Sequence, residues 1–203
     1  MSILKTLGLS IVISGVASLA SAATFYSDLA SFQAATTTTV ESFEDPYALQ
    51  PSFTFADFTI SETNGAVNQI GAGTPPFSST GVVSGTGNAL YEDNGASLLN
   101  FNGFSSAFTA FGLWMTSTVA TTVTVSGSAA STFDLVANTP QFFGVTDIGG
   151  LSSVIFSASG SPSLVIVDDV YTGTVSAIPL PAGGILLLAG LGGLAALRRR
   201  KKS

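Results

Sequence analysis

The stretch Val119-Ala120-Thr121-Thr122-Val123-Thr124-Val125-Ser126 determines how the rest of the chain is interpreted. Val119, Thr121, Val123 and Val125 alternate with Ala120, Thr122, Thr124 and Ser126. This period of two is typical of a strand with one buried face. Its Val and Thr side chains are β-branched, which favours strands over helices. Val154, Phe156 and Ala158 repeat the pattern further along the chain. The sequence therefore predicts a β-sheet protein.

The remainder of the region 23–171 supports this interpretation, because it is rich in Thr, Ser, Gly, Val and Phe and repeatedly broken by Gly, Asn and Pro. Short strands separated by such breaks are typical of a β-sandwich or jelly roll. Apolar strands are expected at Phe108–Met115, where we assign Trp114 to the core, and at Leu164–Tyr171. We predict an all-β fold with one sandwich domain over residues 23–171.

The segment Phe53–Ile60 requires a special explanation as a strand. Its apolar residues change parity after Phe55. A β-bulge near Ala56-Asp57 would let both halves of the segment face the same core. We therefore predict one bulged strand here.

One short helix is expected near the start of this domain. Phe25, Leu29 and Phe32 are spaced at i, i+4 and i+7, which places them on one helical face. Ser27 is the predicted N-cap, and Asp28 would then lie in the first turn, where the helix dipole favours an acid. The apolar face is expected to pack on the edge or end of the sandwich.

Charge is distributed unevenly along the chain. The six basic residues are Lys5 and the run Arg198 to Lys202, whereas the twelve carboxylates all lie from Asp28 to Asp169. Nucleic acid is excluded as a partner, because phosphate binding depends on Lys and Arg. The region 23–197 also has no His, Cys or Lys for Ser–His, Cys–His or Schiff-base chemistry. We expect a protein that is not an enzyme; a glycan hydrolase with two carboxylates remains an alternative, although no pair stands out.

Four carboxylates are candidates for a calcium site. Glu44 and Asp45 follow the predicted helix, and Asp168 and Asp169 lie in the last apolar strand. Ca²⁺ prefers oxygen ligands, and no side-chain cation is available to neutralise these acids. The two patches resemble those of jelly-roll binding modules in which the terminal strands pair and hold a structural Ca²⁺. The alternative is that these acids accept hydrogen bonds from turns and backbone amides.

The N-terminal residues 1–22 have the organisation of a secretory signal peptide. Lys5 supplies the positive region, Leu7–Leu19 the apolar region, and Ala20-Ser21-Ala22 the small residues before the cleavage site. Signal peptidase would then leave Ala23 as the first mature residue. The alternative is an uncleaved membrane anchor.

The C-terminal residues 178–203 are organised as a sorting tail after a linker expected at 172–177. They contain a motif at 178–182, an uncharged transmembrane segment at about 180–197, and a basic stop at 198–202. The motif residues are Ile178, Pro179, Leu180, Pro181 and Ala182, and the stop residues are Arg198, Arg199, Arg200, Lys201 and Lys202. The positive-inside rule places the stop in the cytoplasm and the domain outside.

This order of motif, span and basic end resembles the VPLPA type of PEP-CTERM sorting domain, with Ile178 in place of Val. The resemblance implies processing by an exosortase, transient insertion in the inner membrane, and release or attachment outside the cell, often with exopolysaccharide. Leu180-Pro181-Ala182-Gly183-Gly184 is also similar to the LPxTG signal of sortases, but Gly183 stands where that signal has Thr.

The sequence thus predicts an exported cell-surface or extracellular-matrix protein with a structural or adhesive role. One alternative is a calcium-dependent carbohydrate-binding module, for which Tyr47 and Tyr91, each beside acidic residues, are candidate exposed contacts. The other alternative is the two-carboxylate hydrolase.

Overall fold

A computed structural model describes residues 23–45, 47–63, 65–71, 88–92, 98–105, 108–127, 130–158 and 164–176. Within these ranges the chain forms one short helix and two β-sheets, which confirms the all-β class. The elements, in chain order, are β1 (Thr24–Tyr26), α1 (Leu29–Ala35), β2 (Thr36–Glu41), β3 (Ser52–Thr54), β4 (Thr59–Glu62), β5 (Val67–Gly71), β6 (Asn88–Glu92), β7 (Leu98–Asn102), β8 (Ala110–Ser117), β9 (Thr121–Ser126), β10 (Ser131–Leu135), β11 (Gln141–Thr146), β12 (Ser153–Ala158) and β13 (Val165–Val175).

Sheet A has seven strands in the order β1-β11-β8-β13-β6-β5, and β2 also pairs with β13. Sheet B has six strands in the order β10-β9-β12-β7-β4-β3. Neighbours in the two sheets are antiparallel, and β13 connects the two parts of sheet A, because it pairs with β8 on one edge and with both β6 and β2 on the other. This arrangement is that of a β-sandwich.

The inner core lies between the two sheets. In β9 the buried residues are Thr121, Val123 and Val125, so the predicted alternation is confirmed. Phenylalanine rings connect the sheets across the core: the ring centroids of Phe101 and Phe111 are 5.1 Å apart. Such edge-on ring contacts add to the stabilisation that the buried apolar area provides.

The predicted bulged strand at 53–60 is wrong, because this segment is a hairpin. β3 ends at Thr54, β4 begins at Thr59, and Thr54 lies opposite Thr59 in the pairing. The backbone N–H of Phe55 donates to the carbonyl of Phe58 at 2.8 Å. The parity change therefore marks a reversal of the chain, and Phe53 and Ile60 reach the same core from two strands.

The helix is shorter than predicted and its cap is different. Phe25 belongs to β1, and α1 starts at Leu29. Asp28, not Ser27, is the N-cap: its backbone is extended, and its Oδ1 accepts a hydrogen bond from the N–H of Ser31 at 2.8 Å. A side-chain acceptor three residues before an unpaired helical N–H is the usual capping geometry.

The helix covers a second aromatic group on the outer face of sheet A, which we call the outer cluster. Phe32 and Phe142 are its buried centre, and Phe32 is fully inaccessible. The predicted place of Trp114 in the main core is wrong, because neighbours on a strand face opposite sides: Leu113 faces the inner core and Trp114 the outer cluster. The remaining members are Tyr26, Leu29, Ala110 and Tyr171.

The linker predicted at 172–177 is wrong over most of its length. β13 continues to Val175, because Thr172 to Val175 pair with β2 in antiparallel register. Beyond it, the N–H of Ser176 donates to the carbonyl of Ala35 at 2.9 Å. The sandwich therefore extends to within two residues of the predicted sorting motif.

Several predictions fall on residues outside the described ranges. These are the signal peptide with Ala20 and Ala22, the motif at 178–182, the membrane segment and the stop at 198–202. In the part of the chain that the structure describes, no helix has the length and apolarity needed to cross a membrane.

Candidate functional site

The predicted calcium ligands Asp168 and Asp169 lie where sheet A divides. Between Asp168 and Tyr171 the pairing of β13 with β8 shifts by one residue, so a bulge interrupts the strand. Asp169 has a positive φ of 44°, a conformation that Asp tolerates better than most residues. Asp168 is buried, and its Oδ1 accepts from the N–H of Asp169 at 2.9 Å. The pair therefore stabilises the bulge at which β6 and β2 separate.

The other two predicted ligands, Glu44 and Asp45, are exposed and lie beyond the end of β2. Their segment is attached to β5 by Gln69, whose Nε2 donates to the carbonyls of Phe43 and Asp45 at 2.6 and 2.7 Å. An early strand does pair with the last one, but this strand, β2, ends at Glu41, before Glu44 and Asp45. The carboxylates themselves belong to a solvated turn and not to the early strand.

The four carboxylates are not brought together as one metal site. Across the described residues, no group of three or more His, Cys, Asp or Glu side chains is arranged to hold a metal ion. The physical reason is that Asp168 is buried within sheet A, whereas Glu44 and Asp45 face solvent. Calcium binding stays a prediction.

The acids do affect two neighbouring tyrosines. Burial raises the pKa of Tyr171 above its ordinary value, and the negative charges of Asp169 and Asp168 raise it further. Burial likewise raises the pKa of Tyr47, with added repulsion from Glu41 and Asp45. Tyr47, a predicted exposed contact, is half-buried and packs on Phe53 and Phe55. Both phenols therefore ionise less readily than a free tyrosine, and their rings pack on neighbouring aromatic rings.

A groove lies between α1 and the end of sheet A. It has a volume of about 420 Å³, within the range of small-molecule sites in proteins. One wall is the last turn of α1, the opposite wall is the edge of β1 and the end of β11, and the end of β13 closes it. The lining residues are Thr24, Tyr26, Ser31, Ala34, Ala35, Thr146, Ile148, Val175 and Ser176.

The chemistry of the groove is neutral. Five of its side chains carry a hydroxyl group and the other four are aliphatic. It includes no carboxylate, although the chain has twelve. Ile148 is 71 % exposed and forms an apolar lip, and Tyr26 adds a half-buried aromatic side chain. An aliphatic and aromatic surface with hydroxyl groups suits an uncharged ligand that has many hydroxyls of its own.

The outer cluster fixes the wall of the groove. The ring of Phe32 lies 5.4 Å from that of Phe142 and 5.6 Å from that of Tyr26. Gly112 and Gly144 leave room for these rings: a Cβ on either glycine would lie 2.8 Å from the ring of Phe142. Close packing of this kind holds α1 against sheet A and sets the width of the groove.

A smaller pocket of about 150 Å³ is lined by two carboxylates, Glu41 and Asp57. Both are engaged in structural hydrogen bonds. Oδ2 of Asp57 accepts from the hydroxyls of Thr39 and Thr172, and Oε1 of Glu41 accepts from the N–H of Phe43. The two hydrogen bonds of Asp57 attach the β3–β4 hairpin of sheet B to sheet A. The volume of the pocket is small for a sugar ring held between two catalytic acids.

The groove was missed in the sequence because its lining comes from four segments that are distant along the chain. Hydroxyl and alanine residues on a short helix carry no functional signal by themselves. Tyr26 is the one lining residue whose type points to ligand binding, and it follows Phe25, which the sequence analysis assigned to the helix but which belongs to β1. Only the pairing of β1 with β11 brings Thr24 opposite Thr146 and Tyr26 opposite Gly144.

Neither a protein-family model nor a curated protein sequence matches this chain. Among solved structures, it is similar to a family 6 carbohydrate-binding module, with 16% identity and a TM-score of 0.37 over 68% of this chain and 94% of that one. A family 29 carbohydrate-binding module has 11% identity and a TM-score of 0.37 over 80% and 98% of the two chains.

A glycoside hydrolase family 43 arabinoxylan arabinofuranohydrolase from Bacillus subtilis, in complex with cellotetraose, has 14% identity and a TM-score of 0.36, over 55% of this chain and 25% of the hydrolase. At such identities and TM-scores these similarities carry no argument about what the present chain binds.

Proposed function

We propose that this protein is an exported cell-surface or extracellular-matrix protein that adheres, without catalysis, to a neutral extracellular polysaccharide through the groove. The observation that carries the proposal is the groove itself: about 420 Å³ lined by five hydroxyl-bearing side chains, an aromatic ring and aliphatic side chains, with no charged group. Neutral sugars present both hydroxyls and apolar faces, and this surface complements both.

The charge of the chain supports a neutral ligand over an acidic one. No carboxylate of the described residues lines the groove, the chain's net negative charge would repel a polyanion, and the region 23–197 has no basic side chain to attract one. A neutral polysaccharide avoids this repulsion. Export is supported by the signal-peptide pattern at 1–22 and by the resemblance of the tail to exosortase substrates.

The binding experiment uses the full-length chain, purified in detergent, against a panel of neutral polysaccharides by calorimetry and pull-down. Ala34 lies on the exposed face of α1 and lines the groove, so Ala34→Trp is expected to fill it and lower the affinity at least tenfold. Gln33→Trp is the matched control, because Gln33 is equally exposed on α1 but does not line the groove. Equal affinities for the two variants and the unmodified chain would place the site elsewhere.

A purely structural role is the alternative, and absence of binding to every glycan in the panel would favour it. Release of reducing sugar ends from a bound polysaccharide would favour the hydrolase. Export is tested separately by intact-mass analysis of the native protein from cells with and without the exosortase. Loss of the residues that follow the motif only in the presence of the enzyme is the expected result.

A further inference from the structure

The hydroxyl groups that line the groove differ in whether they already have a hydrogen-bond partner. The hydroxyl of Ser31 is bonded to the carboxylate of Asp28. That of Ser176 contacts the hydroxyl of Thr37 at 3.3 Å. Three further hydroxyls of the lining have no hydrogen bond to any other residue in the described ranges, namely those of Thr24, Tyr26 and Thr146. These three are therefore available to a ligand.

Thr146 differs from the other two because it is almost enclosed. It is only 7 % exposed, yet it lines the groove. Its hydroxyl oxygen is not one of the enclosed side-chain atoms that lack a partner, so the accessible part of the residue includes this oxygen. A polar group in such a position costs free energy unless a partner reaches it. A ligand in the groove can supply that partner.

Thr24 lies beside Thr146 and forms a pair with it. The two residues are directly opposite each other in the antiparallel pairing of β1 with β11, so both side chains are on the same face of sheet A. The Cβ atoms of opposite residues lie about 4.5–5.5 Å apart. The next residue, Asp147, is buried, its Oδ1 accepts from the N–H of Gly149 at 2.9 Å, and it does not line the groove. The groove thus presents two adjacent neutral hydroxyls.

We propose that Thr24 and Thr146 bind the two oxygens of a vicinal diol on one sugar ring, so that the groove selects neutral saccharides with two free hydroxyls on adjacent carbons. The proposal rests on the proposed function and names the ligand class of the same site. Each Thr hydroxyl can both donate and accept, so each can form a hydrogen bond of about 2.7–2.8 Å with one sugar hydroxyl. A ring with one of these oxygens in a glycosidic bond would leave a Thr without its donor or acceptor, which disfavours its binding.

The apolar part of the groove completes the contact with the same ring. Ile148 and Val175 are among the aliphatic lining residues, and they can contact the C–H groups of a sugar whose hydroxyls are bound by the Thr pair. Hydrogen bonds then orient the ring, and apolar contact adds affinity without any charge.

The test removes each hydroxyl and keeps the shape of the side chain. Thr146→Val and Thr24→Val in the full-length chain, purified in detergent, retain a β-branched residue. The probes for calorimetry are cellohexaose, mannohexaose, xylohexaose and isomaltohexaose, whose internal rings carry two free hydroxyls on adjacent carbons. Each variant is expected to lower the affinity for the hexasaccharide that binds by about tenfold. Thr132→Val is the matched control, because Thr132 is exposed on β10 and does not line the groove.

Two further measurements separate recognition from a structural role. Thr146→Val should not lower the melting temperature, because it removes a hydroxyl that has no partner in the described ranges. Curdlan is a linear glucan whose internal rings have no two free hydroxyls on adjacent carbons. In a pull-down, curdlan should retain about tenfold less of the unmodified chain than swollen cellulose or linear mannan, whichever binds better.

Equal affinities for the two Val variants and the unmodified chain would overturn the proposal, as would equal retention on curdlan. If Ala34→Trp still abolishes binding in either case, the proposed function stands and only the role of the Thr pair fails. Polysaccharides that bind when none of the four hexasaccharides does would have the same meaning. If no neutral saccharide binds at all, the proposed function fails and the selection of a vicinal diol fails with it.

Discussion

The inner core and the outer cluster lie on opposite faces of sheet A and differ in the kind of residue they bury. The inner core consists of Phe and aliphatic side chains from both sheets, and most of its members are fully inaccessible. The outer cluster buries two Phe rings under one short helix and adds Tyr26, Trp114 and Tyr171, which are only partly buried. The first region therefore stabilises the sandwich as a whole, whereas the second holds α1 and shapes the groove.

The residues that stabilise the domain as a whole are therefore different from the residues that shape the groove. A change in the inner core should act on global unfolding, and a change in the outer cluster should act first on the helix and on ligand binding. Trp114 is the one tryptophan of the chain and belongs to the outer cluster. Its fluorescence therefore reports on the outer cluster, while far-ultraviolet circular dichroism reports on the sheets.

The largest effect is expected from Phe101→Ala in the inner core. Phe101 is fully buried, and its ring contacts those of Phe58, Phe111 and Phe156. Removal of a buried Phe ring lowers the free energy of unfolding by about 3–5 kcal/mol. Fluorescence and circular dichroism should lose their native signals at the same reduced denaturant concentration, and two separate transitions would show that the regions are less coupled than the shared sheet suggests.

A smaller effect is expected from Gly144→Ala in the outer cluster. The added Cβ would lie 2.8 Å from ring atoms of both Phe142 and Phe32, so the rings and α1 must shift. Overpacking of this kind costs about 1–3 kcal/mol. Fluorescence should change more than circular dichroism, and saccharide binding should weaken beyond what the stability loss explains. Phe32→Leu in the same chain should relieve part of the cost, and strict additivity of the two changes would contradict the contact.

The sequence predicted the inner core better than the outer cluster for a physical reason. One buried face imposes a period of two, and that period is visible in β9 and β12. The hairpin at 53–60 was missed because Ala56-Asp57 is not a typical turn pair. The N-cap was predicted one residue too early because Ser27 is as good a cap by residue type as Asp28. Trp114 was misplaced because β8 is apolar on both faces, so its pattern does not distinguish the core from the outer face.

Glu62 is a buried acid on the side of the inner core. Glu62 follows Ile60 on the inner face of β4, is 8 % exposed, and its carboxylate oxygens have no hydrogen-bond partner among the described residues. A buried polar group without a partner costs about 1–3 kcal/mol, so Glu62→Leu is expected to raise the free energy of unfolding by a comparable amount. The measurement is denaturant unfolding, with Glu62→Gln as the control of similar size. A destabilised Leu variant would mean that the carboxylate has a partner in solution.

The smallest effect is expected at Asp28. Its protonation at low pH should weaken the cap of α1 and so affect the outer cluster but not the inner core. Its pKa is held below the ordinary value of 3.8, mainly by the hydrogen bond from the backbone N–H of Ser31. Because the folded pKa is the lower one, this contribution is present above pH 3.8 and is lost as the pH falls through the folded value. Acid should therefore loosen α1 and change the fluorescence of Trp114 while the circular dichroism of the sheets persists. Asp28→Asn keeps a capping acceptor without a titratable group, so its fluorescence should lack this acid step. If the Asn variant shows the same step, another acid causes it, and the cap does not connect pH to the groove.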